Sequence, residues 1–113
     1  MKDSRPFRAK TVVLGAALDT RGDEVAFLRD RLYERGLSVL TIDIGVMGTP
    51  SCSADYGRQA VAQAGGRSLS ELVEAARSGA DRRQATDTMS QGAARIVREL
   101  RAAGKLDALV ILG

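Results

Sequence analysis

The sequence contains no histidine and a single cysteine, Cys52. The lack of histidine excludes Ser-His-Asp and Cys-His catalysis and argues strongly against a zinc site. One cysteine cannot form an internal disulfide. Because no histidine is present to activate the thiol, we interpret Cys52, which stands between Ser51 and Ser53, as incidental to function.

Aromatic residues make up only 4% of the 113-residue chain, so we expect an aliphatic core. No apolar run reaches the ~18 residues of a transmembrane helix, and no signal-peptide core follows the basic N-terminus. The net charge of +3 is spread along the chain rather than concentrated in a basic stripe. The sequence therefore predicts a cytoplasmic protein that binds neither membranes nor nucleic acid.

The part of the sequence around which the rest is organised is residues 10–24. Residues 11–14 are uncharged and rich in β-branched side chains, which is typical of a parallel strand covered on both faces. Small residues follow, and then Thr20, the expected N-cap of a helix. This turn lies at the carboxyl end of a strand and directs a helix N-terminus outward, which is where open α/β sheets bind ligands.

Hydrophobic periodicity and glycine stops predict the remaining elements. Val25, Leu28 and Leu32 recur at helical spacing in the first helix, and Phe27 and Tyr33 widen this apolar face. Strand, helix and strand joined by short turns form a right-handed βαβ unit. The sequence thus predicts an α/β fold, a three-layer Rossmann-like parallel sheet with strand order 2-1-3. Strands are predicted over residues 10–16, 37–44 and 106–112, and helices over 22–35, 58–64, 69–77 and 81–103.

The third predicted strand is followed only by Gly113. A buried parallel strand needs a covering connection after it, and a bare strand leaves an edge of the sheet open. We therefore expect residues 1–113 to be the N-terminal portion of a larger domain, truncated after the third strand. The alternative is a small three-stranded domain, or one that completes itself as a homo-oligomer.

Neither of the standard phosphate-binding fingerprints, the Walker loop and Gly-x-Gly-x-x-Gly, is present. The candidate ligand-binding residues are therefore chosen by their positions at the ends of the predicted strands. Asp19, Thr20 and Arg21 follow the first strand. Helix capping is the simpler interpretation of the first two, and a surface charge that of the arginine. Asp43, near the end of the second strand, is either an acid that binds a ribose or a solvent-facing strand residue.

The long fourth helix begins with two arginines, Arg82 and Arg83. A cation in the first turn opposes the helix dipole, so an arginine here is a poor choice for structure alone. Together with the local amides it can grip an anion, although a solvated arginine is the commoner case.

The run Gly-Ala-Ala-Leu-Asp-Thr-Arg-Gly-Asp-Glu over residues 15–24, with residues 41–48 and 109–113, resembles the ATP-binding domain family named for the tomato mosaic virus resistance protein, the Tm-one-like family. The resemblance implies a Rossmann-type domain that binds ATP, with or without Mg²⁺. Arg21 replaces the lysine usual in that family. The nucleotide contacts implied are Asp19, Thr20, Arg21, Val46 and Arg82, with Gly113 opening a glycine-rich phosphate loop.

The expectation from the sequence is therefore a nucleotide-binding module, for ATP, within a two-domain protein. The alternatives are part of an ATP-dependent enzyme that transforms a small molecule, and a protein–protein interaction domain. The residues identify no catalytic nucleophile or base, and no set of metal ligands.

Overall fold

The computed structural model describes residues 9–79 and 82–113. All the predicted strands and helices are present within these residues; the predicted first residue of the fourth helix, Asp81, lies outside them. The strands are β1 (Thr11–Ala16), β2 (Ser38–Asp43) and β3 (Ala108–Ile111), and the helices are α1 (Leu18–Glu34), α2 (Arg58–Ala64), α3 (Leu69–Arg77) and α4 (Arg82–Ala102).

The three strands form one parallel sheet in the order β2-β1-β3, which confirms the predicted α/β fold and strand order. Val13 of β1 lies opposite Leu40 of β2 and Leu109 of β3. A parallel bridge between Ile42 and Tyr56 covers part of the outer edge of β2. The carboxyl ends of the strands consequently lie together at one rim of the sheet.

Helices cover both faces of the sheet, as the uncharged first strand predicts. Every residue of β1 is buried. Successive side chains of a strand point to opposite faces, so Val12 and Leu14 pack with Val25 of α1, whereas Val13 packs with Met89 of α4 on the other side. The aliphatic core is therefore divided between two layers, one on each side of β1.

Helix α1 begins at Leu18, four residues earlier than predicted, and Thr20 is not its N-cap. The N-cap is Ala17, which makes no side-chain cap, and the Thr20 hydroxyl donates a hydrogen bond to the Ala17 carbonyl. The acceptor for the helix start comes instead from β2: Oδ1 of Asp43 accepts the N–H of Leu18 at 3.1 Å. A cap from a distant strand removes the need for a local one.

The apolar face of α1 is narrower than predicted. Phe27 is 64% exposed and Tyr33 is 51% exposed, so neither ring contributes to the core. The Phe27 ring instead lies 5.2 Å from the guanidinium carbon of Arg31, a cation–π contact at the surface. Of the three residues predicted at helical spacing, Val25 is fully buried, and Leu28 and Leu32 are half-buried beside it.

Strand β3 lies at the open side of the sheet. It is shorter than the predicted segment, and Leu109 and Ile111 are exposed. Within the described residues β3 pairs with β1 alone. Truncation after this strand remains a prediction. A search of the described residues found no helix with both the length and the apolar character to cross a membrane.

Candidate functional site

A cleft of about 460 Å³ opens at the carboxyl ends of β1 and β2. The chain leaves β1 for α1 on one face of the sheet and leaves β2 for α2 on the other. The cleft therefore lies outside the carboxyl ends of the strands, where open α/β sheets bind ligands. Its walls are the start of α1 (Ala17, Asp19, Thr20), residues 44–47 after β2, and the facing parts of α3 and α4 (Ala76, Arg82, Ala85, Thr86, Ser90).

Four of the residues singled out from the sequence line this one cleft: Asp19, Thr20, Val46 and Arg82. They come from three segments that are far apart in the chain. The fold therefore brings together, in one cleft, residues that the sequence analysis identified separately.

The other two nucleotide contacts implied by the resemblance, Arg21 and Gly113, are not among the described residues that line the cleft. The Nε of Arg21 donates a hydrogen bond to the Gly113 carbonyl at 2.7 Å, and Nη1 of Arg21 pairs with Glu24 at 3.1 Å. Arg21 thus holds the carboxyl end of β3 against the first turns of α1, beside the cleft rather than in it.

The cleft combines an apolar wall with a cation and hydroxyl groups. Ile44, Val46 and Met47 provide the apolar side. Within residues 9–79 and 82–113 the exposed Arg82 guanidinium forms no ion pair or hydrogen bond. Thr20, at the amino end of α1, lies on the same cleft, where the helix dipole favours negative charge. An anionic group bound here would meet the positive charge of Arg82 and the positive end of the α1 dipole.

Asp43 does not serve either role considered from its sequence position. Its side chain is only 2% exposed, and Oδ1 accepts the N–H of Gly45 at 2.9 Å as well as that of Leu18. Oδ2 accepts Nε of Arg58 at 2.9 Å. Because both carboxylate oxygens are committed to internal donors, Asp43 is neither solvent-facing nor open to a ribose. It is a structural anchor beneath the cleft.

The sequence analysis missed Arg58, the first residue of α2. Its Nη2 donates to Oδ1 of Asp19 at 3.1 Å, and its Nη1 donates to the Met47 carbonyl at 2.9 Å and the Gly48 carbonyl at 3.2 Å. A signal was available: an arginine at a helix start opposes the dipole, the argument that singled out Arg82. Arg58 tolerates that position because two carboxylates, of Asp19 and Asp43, neutralise it.

Gly45 shows how tightly this cluster is built. A Cβ added at Gly45 would lie 2.5 Å from Nη2 of Arg58 and would overlap Oδ1 of Asp19. Only glycine lets the backbone after β2 pass this close to the buried guanidinium.

The described residues contain no group of three or more histidine, cysteine or carboxylate side chains able to hold a metal ion. Cys52 is free and half-buried, and it packs against the layer of the core that contains α1. Its surroundings are those of a packing residue.

Residues 10–113 match the model of a family described as "Uncharacterised protein family (UPF0261) N-terminal domain". The chain belongs to this family. A UPF0261 protein of Clostridium tetani is 33% identical over 104 residues, and UPF0261 proteins of Brucella suis and Brucella melitensis are 30% identical over the same length. Each alignment covers 92% of this chain and 24% of the relative, so this UPF0261 chain spans about a quarter of the length of these relatives. No solved structure matches it.

The resemblance to the tomato mosaic virus resistance protein family is wrong as a family assignment. The family model that matches is that of UPF0261, over nearly the whole chain, and the matching relatives are UPF0261 proteins. The run over residues 15–24 that carried the resemblance consists of small residues followed by a helix start. Such a run suits the end of many buried parallel strands and does not separate families. The site residues therefore rest on geometry alone.

Proposed function

We propose that this UPF0261 domain binds a nucleotide, ATP, in the cleft at the carboxyl ends of β1 and β2. The observation that carries the proposal is that the first turn of α1 and the Arg82 guanidinium, which pairs with no group among residues 9–79 and 82–113, converge on one cleft. Open α/β sheets bind ligands outside the carboxyl ends of their strands, and this cleft lies on that side of the sheet.

The size and lining of the cleft support a small-molecule ligand. Its volume of about 460 Å³ lies within the range of ~300–1,000 Å³ found for such sites. The apolar side chains of Ile44, Val46 and Met47 offer a surface for a base. The hydroxyls of Thr86 and Ser90 lie on the α4 wall with Arg82 and can bind sugar or phosphate oxygens.

The distribution of charge gives the ligand an orientation. The Arg82 guanidinium suits the phosphates, because arginine binds planar anionic groups with two donors. Asp19, on the α1 wall, pairs with Arg58 through Oδ1, but the cluster of Asp19, Asp43 and Arg58 keeps one net negative charge, which repels a bare triphosphate. Mg²⁺ carried by the phosphates would remove that repulsion, since Mg²⁺ is commonly bound by one or two carboxylates together with substrate phosphates. Asp19 is the lining carboxylate that fits this role.

The proposal is tested by calorimetric titration of the full-length protein with ATP, with and without Mg²⁺. Adenosine and inorganic triphosphate serve as comparison ligands, because each carries only part of the proposed contacts. We expect ATP to bind at one site per chain and more tightly than either fragment. No heat at millimolar ATP under both conditions would contradict the proposal.

A further inference from the structure

The two walls of the cleft are joined by a residue that does not line it. Asp19 on the α1 wall and Met47 on the wall after β2 both line the cleft, whereas Arg58 is not among the described lining residues. Arg58 lies behind them, 8% exposed, and its guanidinium contacts the Asp19 carboxylate and the Met47 carbonyl. One rigid group therefore connects two neighbouring walls of the cleft, which meet where Asp19 lies against Gly48.

We infer that Arg58 is the positioning residue of this site: by holding Asp19 and the backbone of residues 47–48 together, it fixes the edge at which two walls of the nucleotide cleft meet. The inference rests on the proposed function, because it assigns to Arg58 the geometry of that same cleft.

The shape of the guanidinium is what the role requires. Its Nε and Nη2 reach the buried Asp43 carboxylate, which fixes the group to the end of β2. Its Nη1 is then directed at the carbonyls of Met47 and Gly48, and Nη2 also at Asp19. A planar fork with several donors satisfies all of these acceptors at once, whereas a lysine ammonium, a point charge on a flexible stem, cannot span them.

The backbone around Arg58 reinforces the same arrangement. The N–H and the hydroxyl of Ser51 both donate to the carbonyl of Leu18, at 3.0 Å and 3.2 Å, so the loop after β2 is fixed to α1 at a second point. Ser51 is not among the described residues that line the cleft. Arg58 holds the loop at Met47 and Gly48, on the part that borders the cleft.

The test compares Arg58→Lys with Asp55→Ala in the full-length protein. Asp55 accepts hydrogen bonds from the N–H and hydroxyl of Thr41 at 2.8 Å and 3.2 Å, so its loss removes partly buried contacts to β2 without touching the cleft. Calorimetry with ATP gives the affinity and the number of sites separately, and thermal melting gives the stability of each variant. A merely structural role would lower the melting temperature or the number of sites and leave the affinity of the folded protein unchanged.

We expect Arg58→Lys to weaken ATP binding by roughly tenfold or more, as loss of a supporting partner does at other sites. Asp55→Ala should lower the melting temperature and leave the affinity unaltered. An affinity unchanged in Arg58→Lys, with binding intact in the unaltered protein, would overturn the inference and leave the proposed function standing. Absence of ATP binding by the unaltered protein would overturn both.

A second measurement needs no variant. Hydrogen exchange of the unaltered protein, with and without ATP, follows the first turn of α1 and residues 45–48 separately. Because Arg58 connects these segments, we expect ATP to protect them together. Protection confined to one of the two walls would overturn the inference.

Discussion

The carboxylate of Asp43, at the end of β2, caps α1 by accepting the backbone N–H of Leu18 at 3.1 Å. This contact links the carboxyl end of one strand to the helix that follows the neighbouring strand. Asp43 also accepts hydrogen bonds from the N–H of Gly45 and from the guanidinium of Arg58. The floor of the cleft and the start of α1 therefore depend on one side chain.

We predict that Asp43→Ala strongly destabilises the protein, since it leaves Nε of the buried Arg58 and two backbone amides without their acceptor and removes one of the two carboxylates paired with Arg58. The expected loss in the free energy of unfolding is about 3–5 kcal/mol, the range for breaking a buried ion pair. Urea denaturation measures it. Asp30→Ala is the control, because Asp30 is 61% exposed in a 3.8 Å pair with Arg29 and should change stability by less than about 1 kcal/mol. Equal small losses in both variants would show that the cluster is not a structural anchor.

The packing of α4 against α2 gives a prediction about Gly92. A Cβ on Gly92 of α4 would overlap the carbonyl oxygen of Val61 in α2. Glycine to alanine within a helix normally gains about 1 kcal/mol, but here we expect Gly92→Ala to lose roughly 1–3 kcal/mol through overpacking. The exposed neighbour Gln91→Ala should stay within about 0.5 kcal/mol of the unaltered protein. Thermal or urea unfolding shows whether Gly92→Ala raises or lowers the free energy of unfolding. A stabilised Gly92→Ala protein would refute the close contact of the two helices.

Because Phe27 is exposed, we expect its truncation to destabilise the protein less than truncation of the smaller Val25 in the same helix. Phe27→Ala should cost less than about 1 kcal/mol, because it removes only a surface cation–π contact. Val25→Ala, a smaller truncation, should cost roughly 2 kcal/mol, because Val25 is fully buried and loses two methyl groups from the core. Unfolding by urea ranks the two variants. A larger loss for Phe27→Ala would mean that its ring is buried in solution.

The elements that were predictable from the sequence are those specified by neighbouring residues. The uncharged segment around Val13 predicts β1, and Gly36, whose φ of +80° favours glycine, marks the end of α1. Leu109 and its neighbours likewise mark β3. The strand order follows from the handedness and lengths of the connections.

The errors came from contacts between residues far apart in the chain. Leu18 and Asp43 are separated by 25 positions, and Asp19 and Arg58 by 39. Hydrophobic periodicity and capping preferences are local, so they assigned the helix start to Thr20 and passed over Arg58. A charged residue at an electrostatically unfavourable helix position was the only local sign of the buried cluster.

The most direct test of the proposed nucleotide site is the ATP affinity of Arg82→Gln beside that of Arg83→Gln, measured by calorimetry on the full-length protein. The two arginines are adjacent and exposed, but Arg82 lines the cleft whereas Arg83 lines a separate depression with Arg67 and Asp87. We expect Arg82→Gln to weaken ATP binding roughly tenfold or more, as loss of a charged hydrogen bond does, and Arg83→Gln to leave it unchanged. Equal affinities in the two variants, or no binding by the unaltered protein, would contradict the account.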